Sequence, residues 1–437
     1  MKKSLQVITL GCSKNTVDTE RLLARLEGSY DLLPEDHAGP VDILLLNTCG
    51  FIGDAKEESI QAILAAAARK NAGEVGRLMV FGCLSQRYMA QLPELIPEVD
   101  GWFGARDQDP LVKALGGDTK ALTGRYRTDS HAYAYLKISE GCDRRCAYCA
   151  IPFIRGPHKS VPMEDLVREA GILAAGGVKE LILIAQDTTF YGLDLYGKRT
   201  LAELIRRLSD VQGIEWIRIH YSYPADFPED VLDEMATNPK VCKYLDIPLQ
   251  HISDKVLSMM RRQVDGAWTR ELVRKLRDRI PGVALRTTMI VGHPGEGKRD
   301  FAELLDFVSE ARFERLGAFA YSEEEGTFGA ANYRDRIPGH EKQRRLAELM
   351  EVQKDISLTF NQSRIATKER VLVDDYADGV LVCRSRYESP DVDGEIIVRY
   401  EPEIFAGIPA SELCGKFIDV KITGADEYDL IAEPVKR

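Results

Sequence analysis

No stretch of this 437-residue chain approaches the roughly 20 consecutive apolar residues that a membrane span requires. The opening MKKSLQVITLGC places two lysines before an apolar run, but Gln6 and Thr9 interrupt it, and a secretory core needs roughly 7–15 apolar residues. The segment reads as a first β-strand, and a cytoplasmic protein without membrane attachment is expected. Excess positive charge is also missing: 58 Lys and Arg stand against 69 Asp and Glu, a formal charge of −11. Loose binding to a polyphosphate backbone draws on Lys and Arg that displace counterions. A basic protein partner therefore suits the chain better, and specific RNA binding is not expected. There is no GxGxxG turn, phosphate-cradling loop or nucleophile elbow, which argues against nucleoside triphosphate and hydrolase chemistry.

Apolar runs divide the chain into three parts. Over 1–125, strand-like runs at 5–10, 43–47 and 78–82 alternate with helices starting near Asp18 and Ala55. Repeated βα units imply a parallel sheet. A polar connector at 116–130 follows. Over 130–363 there are six further runs, at 134–138, 181–185, 217–220, 244–247, 285–291 and 316–321. They predict an incomplete (βα)6 barrel with its chemistry at the C-terminal strand ends. The charged stretch at 344–353 reads as a solvated linker helix. Over 366–437, short runs at 370–373, 380–383, 395–398 and 417–422 with Gly and Asp turns predict a small β-barrel. The whole is an α/β chain with a small β module at its end.

Nine cysteines is an odd number in a chain too large to need disulfide staples, and a reducing compartment keeps them as thiols or metal ligands. In KISEGCDRRCAYCAIPFIRG, Cys142, Cys146 and Cys149 are spaced CxxxCxxC in the loop after the first barrel strand. Clustered thiolates suit a soft metal centre. Three cysteines on a cubane that usually takes four leave one iron open; structural zinc is the alternative, and it wants a fourth ligand, for which His158 is the nearest. Cys12, Cys49 and Cys83 each end an apolar strand run, in VITLGC, ILLLNTC and LMVFGC. Carboxyl ends of neighbouring parallel strands face one crevice, so these three can converge on a second cluster with another open iron. Cys242, Cys383 and Cys414 lack a spaced partner set and read as structural thiols.

The CxxxCxxC motif with the aromatic Tyr148 before its last cysteine resembles that of the radical S-adenosylmethionine (SAM) superfamily. Together with the N-terminal cysteine set and the terminal β module, it resembles the methylthiotransferases, whose last domain is called TRAM. The resemblance covers nearly the whole chain. TLGCSKNTVDTE, NTCGFIGDAKEES, LDIPLQHISDKVLSMMRR and LGAFAYSEEEGT are similar to the branch that modifies an aspartate of a small-subunit ribosomal protein, the twelfth. The resemblance implies two 4Fe-4S clusters and two uses of SAM. One methylates sulfur carried on the N-terminal cluster, and the other yields a 5′-deoxyadenosyl radical that takes hydrogen from the aspartate β-carbon. Electrons would come from flavodoxin or ferredoxin. Relatives acting on adenosine in transfer RNA are the nearest alternative, and a noncatalytic iron-sulfur protein that binds ribosomes is another. RNA-gripping modules carry excess positive charge, whereas 361–437 has ten Lys and Arg against sixteen Asp and Glu, a formal charge of −6. Asp374, Asp375 and Asp378 are taken as part of that acidic surface.

Barrel logic adds candidate cofactor contacts: Tyr148 beside the cluster, Gln186 and Asp187 after the second strand, His220 ending the third, and Gln250 and His251 after the fourth. Arg286 begins the fifth strand and Gly292 heads GHPGE. The family commonly has an aromatic residue where this chain has His293. Arg155, in IRGPHKS, could meet a carboxylate near the cluster or form a surface ion pair.

Overall fold

The computed structural model describes residues 2–26, 28–119 and 124–435; residues 120–123 of the expected connector lie outside them. In the first part β1 (Lys3–Thr9), β2 (Tyr30–Leu33), β3 (Val41–Thr48), β4 (Val75–Gly82) and β5 (Gly101–Trp102) form one sheet in the order β2-β1-β3-β4-β5. Every pairing in it is parallel. Alternation along β3 sends Ile43 and Leu45 into one apolar layer and Leu44 and Leu46 into the other, so both faces are covered. β2 and β5 are edge strands too short to stand out as apolar runs. Helices α1 (Ser13–Ala24), α2 (Gly53–Asn71) and α3 (Cys83–Arg87) follow β1, β3 and β4.

α1 begins well before the expected start near Asp18. Lys14, Asn15, Asp18, Thr19 and Glu20 on it are buried, because the helix is wedged against the second part rather than facing water. Its polar face is an internal face.

The second part comprises β6 (Tyr133–Lys137), β7 (Ser139–Glu140), β8 (Lys159–Ser160), β9 (Glu180–Ile184), β10 (Trp216–Ile219), β11 (Val241–Asp246), β12 (Ala284–Val291) and β13 (Arg315–Ala320). Six of these make an open parallel sheet, β6-β9-β10-β11-β12-β13, the incomplete barrel expected. β7 and β8 pair antiparallel and bracket the CxxxCxxC loop. The helix Gly339–Ser363 is no solvated linker, contrary to expectation: Leu349 and Ile356 are buried in the barrel's core cluster, and Gln353 Nε2 donates to Phe313 O at 2.9 Å. Its buried stripe itself carries Lys342 and Arg345 beside Leu349, Gln353 and Ile356, and those two charges disguise it as a solvated face in the sequence.

The last part is a closed barrel of β14 (Lys368–Ala377), β15 (Val380–Arg384), β16 (Ile396–Arg399), β17 (Phe417–Ala425) and β18 (Leu430–Pro434), ordered β14-β15-β16-β18-β17. It plugs the N-terminal end of the open barrel. Trp216 meets Phe417 edge-on with ring centroids 4.8 Å apart. Glu180, fully buried, takes Arg218 Nε at 2.7 Å and Arg384 Nη1 at 2.8 Å. Arg384 also binds Asp374 at 2.5 Å, so Asp374 is an internal ion-pair partner and not part of the acidic surface assigned to it above. Removing one member of a buried ion network strands the others, at a cost of about 3–5 kcal/mol. Glu180→Ala is expected to lower the unfolding midpoint of the full chain accordingly, followed in urea; an unchanged midpoint would show that the network carries no stability.

Candidate active site

β1, β3 and β4 are adjacent and parallel, with Thr9 opposite Asn47 and Thr48 opposite Gly82, so their C-terminal ends stand side by side. Cys12, Cys49 and Cys83 follow these ends directly and are brought together. Burial pushes the Cys83 thiol up to about 12, and the neighbouring Cys12 and Cys49 push the same way against Arg155. Gly11, at φ 96°, passes so close to Cys49 that a Cβ there would stand 2.7 Å from Cys49 Cβ. Ser59 Oγ fixes Cys49 by accepting from its N–H and donating to its carbonyl, both at 3.0 Å.

Opposite this set, Cys142, Cys146 and Cys149 share the loop between β7 and β8. The Cys142 N–H donates to Gly156 O at 3.1 Å, and the Ala147 N–H to Met260 O at 3.0 Å. Burial pushes the Cys142 thiol up to about 12, and Cys146 adds to it. Arg262, which the sequence reading missed, donates from Nη1 toward Cys146 Sγ and Tyr148 Oη at 3.4 Å each, and from Nη2 to Pro248 O at 2.6 Å. Its signal was the MMRR run after the fourth barrel strand. Arg144, inside the motif, binds Asp187 Oδ2 at 2.9 Å and stacks over Tyr223 at 3.8 Å. Beside the loop opens a cleft of about 920 Å³ lined by Arg144, Arg145, Phe190, Arg261 and Trp268 among others, large enough for a nucleoside-bearing molecule.

Arg155 joins the two sets. It is no surface ion pair: at 4% exposure it donates Nε to Cys83 Sγ at 3.1 Å, Nη1 to Asp18 at 2.6 Å and Glu140 at 3.1 Å, and Nη2 to Asn15 Oδ1 at 2.6 Å. Although burial acts to raise it, Lys137 and Arg155 hold the Glu140 carboxyl down to about 2. Glu140 in turn accepts from Gln186 Nε2 at 2.6 Å.

The donor sets fit iron-sulfur clusters. Each set offers three thiol donors, the soft ligands that iron-sulfur clusters take. Each set also has a guanidinium N–H aimed at one of its sulfurs, the kind of hydrogen bond that tunes such a cluster.

The other candidates divide. The Oε1 atoms of Gln186 and Gln250 are buried without a partner, and Gln250 holds a strained φ of 75° at the barrel mouth. His220, whose proton affinity burial lowers to about 3, shares a 2.9 Å hydrogen bond with Ser389 of the last part. His251 Nδ1 accepts from the Ser253 N–H at 3.0 Å. Arg286 is already held, by Asp246 at 3.1 Å and Asp393 at 3.6 Å. Gly292 makes room for Lys342, whose Cγ would stand 2.5 Å from a Cβ there. His293 is sealed against Tyr321 and Tyr333. Cys242 and Cys383 are buried and Cys414 half-buried, all as free thiols.

Comparison with known proteins follows this division. The radical SAM superfamily matches residues 136–308, the uncharacterized protein family UPF0004 residues 4–104, and the TRAM domain residues 365–435. The chain is 50% identical over 438 residues to the ribosomal protein uS12 methylthiotransferase RimO of Porphyromonas gingivalis, covering 99% of each. It is 48% identical over 434 residues to that of Phocaeicola vulgatus, again covering 99% of each, and 47% identical over 440 residues to that of Cytophaga hutchinsonii, covering 100% of this chain and 98% of the relative. Among solved structures, the radical SAM methyltransferase TsrM of Kitasatospora setae shares the fold at TM-score 0.56 and 15% identity, over 75% of this chain and 74% of that one. Membership of the superfamily implies an iron-sulfur cluster and SAM. With cysteine sets, part-barrel and terminal barrel all in place, the chain belongs to the RimO family of radical SAM methylthiotransferases.

Proposed function

We propose that this enzyme adds a methylthio group to the β-carbon of an aspartate in ribosomal protein uS12, with Cys142, Cys146 and Cys149 holding the radical cluster and Cys12, Cys49 and Cys83 a second one. The observation that carries this reading is the pair of three-cysteine sets, with Arg155, six residues beyond Cys149, reaching Cys83 Sγ of the other set. The aspartate β-hydrogen is too weakly acidic for general-base removal; SAM at the first cluster supplies a radical strong enough to take it, and the second cluster supplies the sulfur. Tyr148 and Arg262 wall the first cysteine set, and the free Oε1 atoms of Gln186 and Gln250 are acceptors for SAM. Arg286, near the start of β12, and Gly292, just past its C-terminal end, are the further contacts proposed for the cofactor. The enzyme works in the cytoplasm, taking electrons from a flavodoxin or ferredoxin.

Exposed Asp375, Asp378, Glu401, Glu403, Glu412 and Asp419 on the last barrel favour a Lys- and Arg-rich protein over RNA. No helix among the described residues is long and apolar enough to cross a membrane. The test is mass spectrometry of uS12 after reaction with reconstituted enzyme. A methylthio group on an aspartate is expected; finding it only on transfer RNA adenosine would overturn the substrate assignment.

A further inference from the structure

Lys14 is only 8% exposed, yet among the described residues no carboxylate lies within ion-pair distance of it. Every other buried Lys or Arg among the described residues meets a carboxylate, as Lys137 does at Asp18, or in the case of Arg262 a cysteine sulfur. A desolvated ammonium without a counter-charge is costly. Its ammonium lies over the Tyr221 ring, whose centroid is 3.1 Å from Nζ, and close enough to the His220 imidazole to act on it. Such a contact fixes the position of the cation without neutralising it. Tyr221 is itself held for the purpose, at φ 57° with its N–H on Asp246 Oδ2 at 3.0 Å.

The location is specific. Lys14 follows Cys12 by two residues on the first turn of α1, and Tyr221 stands just past the C-terminal end of β10, at the mouth of the open barrel. The ammonium therefore lies on the wall between the two cysteine sets. Resting on the reading above, we infer that Lys14 receives the carboxylate of the substrate aspartate. That carboxylate is one bond from the β-carbon, so pinning it holds the carbon between the group that removes hydrogen and the sulfur that replaces it. An asparagine in the same place would leave the ammonium unpaired, and the site would reject it. Lys14 is then a specificity-determining residue.

The experiment measures binding of full-length, cluster-loaded enzyme to isolated uS12 carrying either its modified aspartate or asparagine there, alongside methylthio yield and SAM cleavage without substrate. A hydrogen bond to a charged group corresponds to a preference of about 10- to 100-fold for aspartate. Lys14→Met, which keeps the side-chain length, is expected to erase the preference, and Lys14→Arg to restore part of it, both with full iron content as the control for folding. Equal binding of both uS12 forms by the unaltered enzyme, while it still methylthiolates the aspartate, would overturn the inference alone. A Lys14→Met enzyme that keeps the preference but loses SAM cleavage would place Lys14 on the cofactor carboxylate and also overturn it. Absence of any methylthio product from the unaltered enzyme would remove the substrate reading and this inference together.

Discussion

Replacing Cys142, Cys146 and Cys149 together by Ala is expected to abolish formation of 5′-deoxyadenosine from SAM under reducing conditions. The loop carrying them is held by backbone bonds from Cys142 to Gly156 and from Ala147 to Met260, none of which involves a thiol. The fold should therefore persist in the triple variant. Iron after anaerobic reconstitution should fall from about eight to about four atoms per chain, as one of two 4Fe-4S clusters is lost. Continued deoxyadenosine formation in this variant would mean that the radical begins elsewhere.

The complementary variant separates the two halves of the reaction. With Cys12, Cys49 and Cys83 changed to Ala, Arg262 still faces Cys146 and the SAM side of the barrel is untouched. Reductive cleavage of SAM should continue while methylthio transfer to uS12 vanishes, and iron should again fall to about four atoms. The change also removes the sulfur that Arg155 Nε donates to, leaving Asp18, Glu140 and Asn15 to hold that guanidinium. A preserved yield of methylthiolated protein would sink the second cluster.

Much of this was legible in the sequence because it depends on order and spacing. Strand ends carrying Cys12, Cys49 and Cys83 must lie side by side once the sheet is parallel with β1, β3 and β4 adjacent, and apolar runs reveal such strands directly. The six barrel strands were visible for the same reason. What escaped depends on contact between parts distant in the chain. Asp374 read as surface charge because its partner Arg384 lies 10 residues on, and the Glu180 that completes the network lies 204 residues before Arg384. Arg155 read only as a partner for a carboxylate, which Asp18 and Glu140 supply, and Arg262 not as a site residue at all, until the fold set a sulfur before each. Lys14 gave no signal at all: a lysine in a polar helix start is ordinarily solvated, and only the docking of α1 against the barrel buries it.

Arg155 has a consequence for how the molecule can be taken apart. By chain position it belongs with the radical loop, six residues beyond Cys149, but three of its four partners, Cys83, Asp18 and Asn15, belong to the first sheet domain. The boundary between the two is thus not a clean seam, for a residue of one is built into the interior of the other. Grafting the first domain of a relative onto this barrel would transplant one half of an interlocking joint, and the graft would need positions 15, 18 and 83 matched to the arginine waiting at 155. The two three-cysteine sets are exchangeable only as a pair.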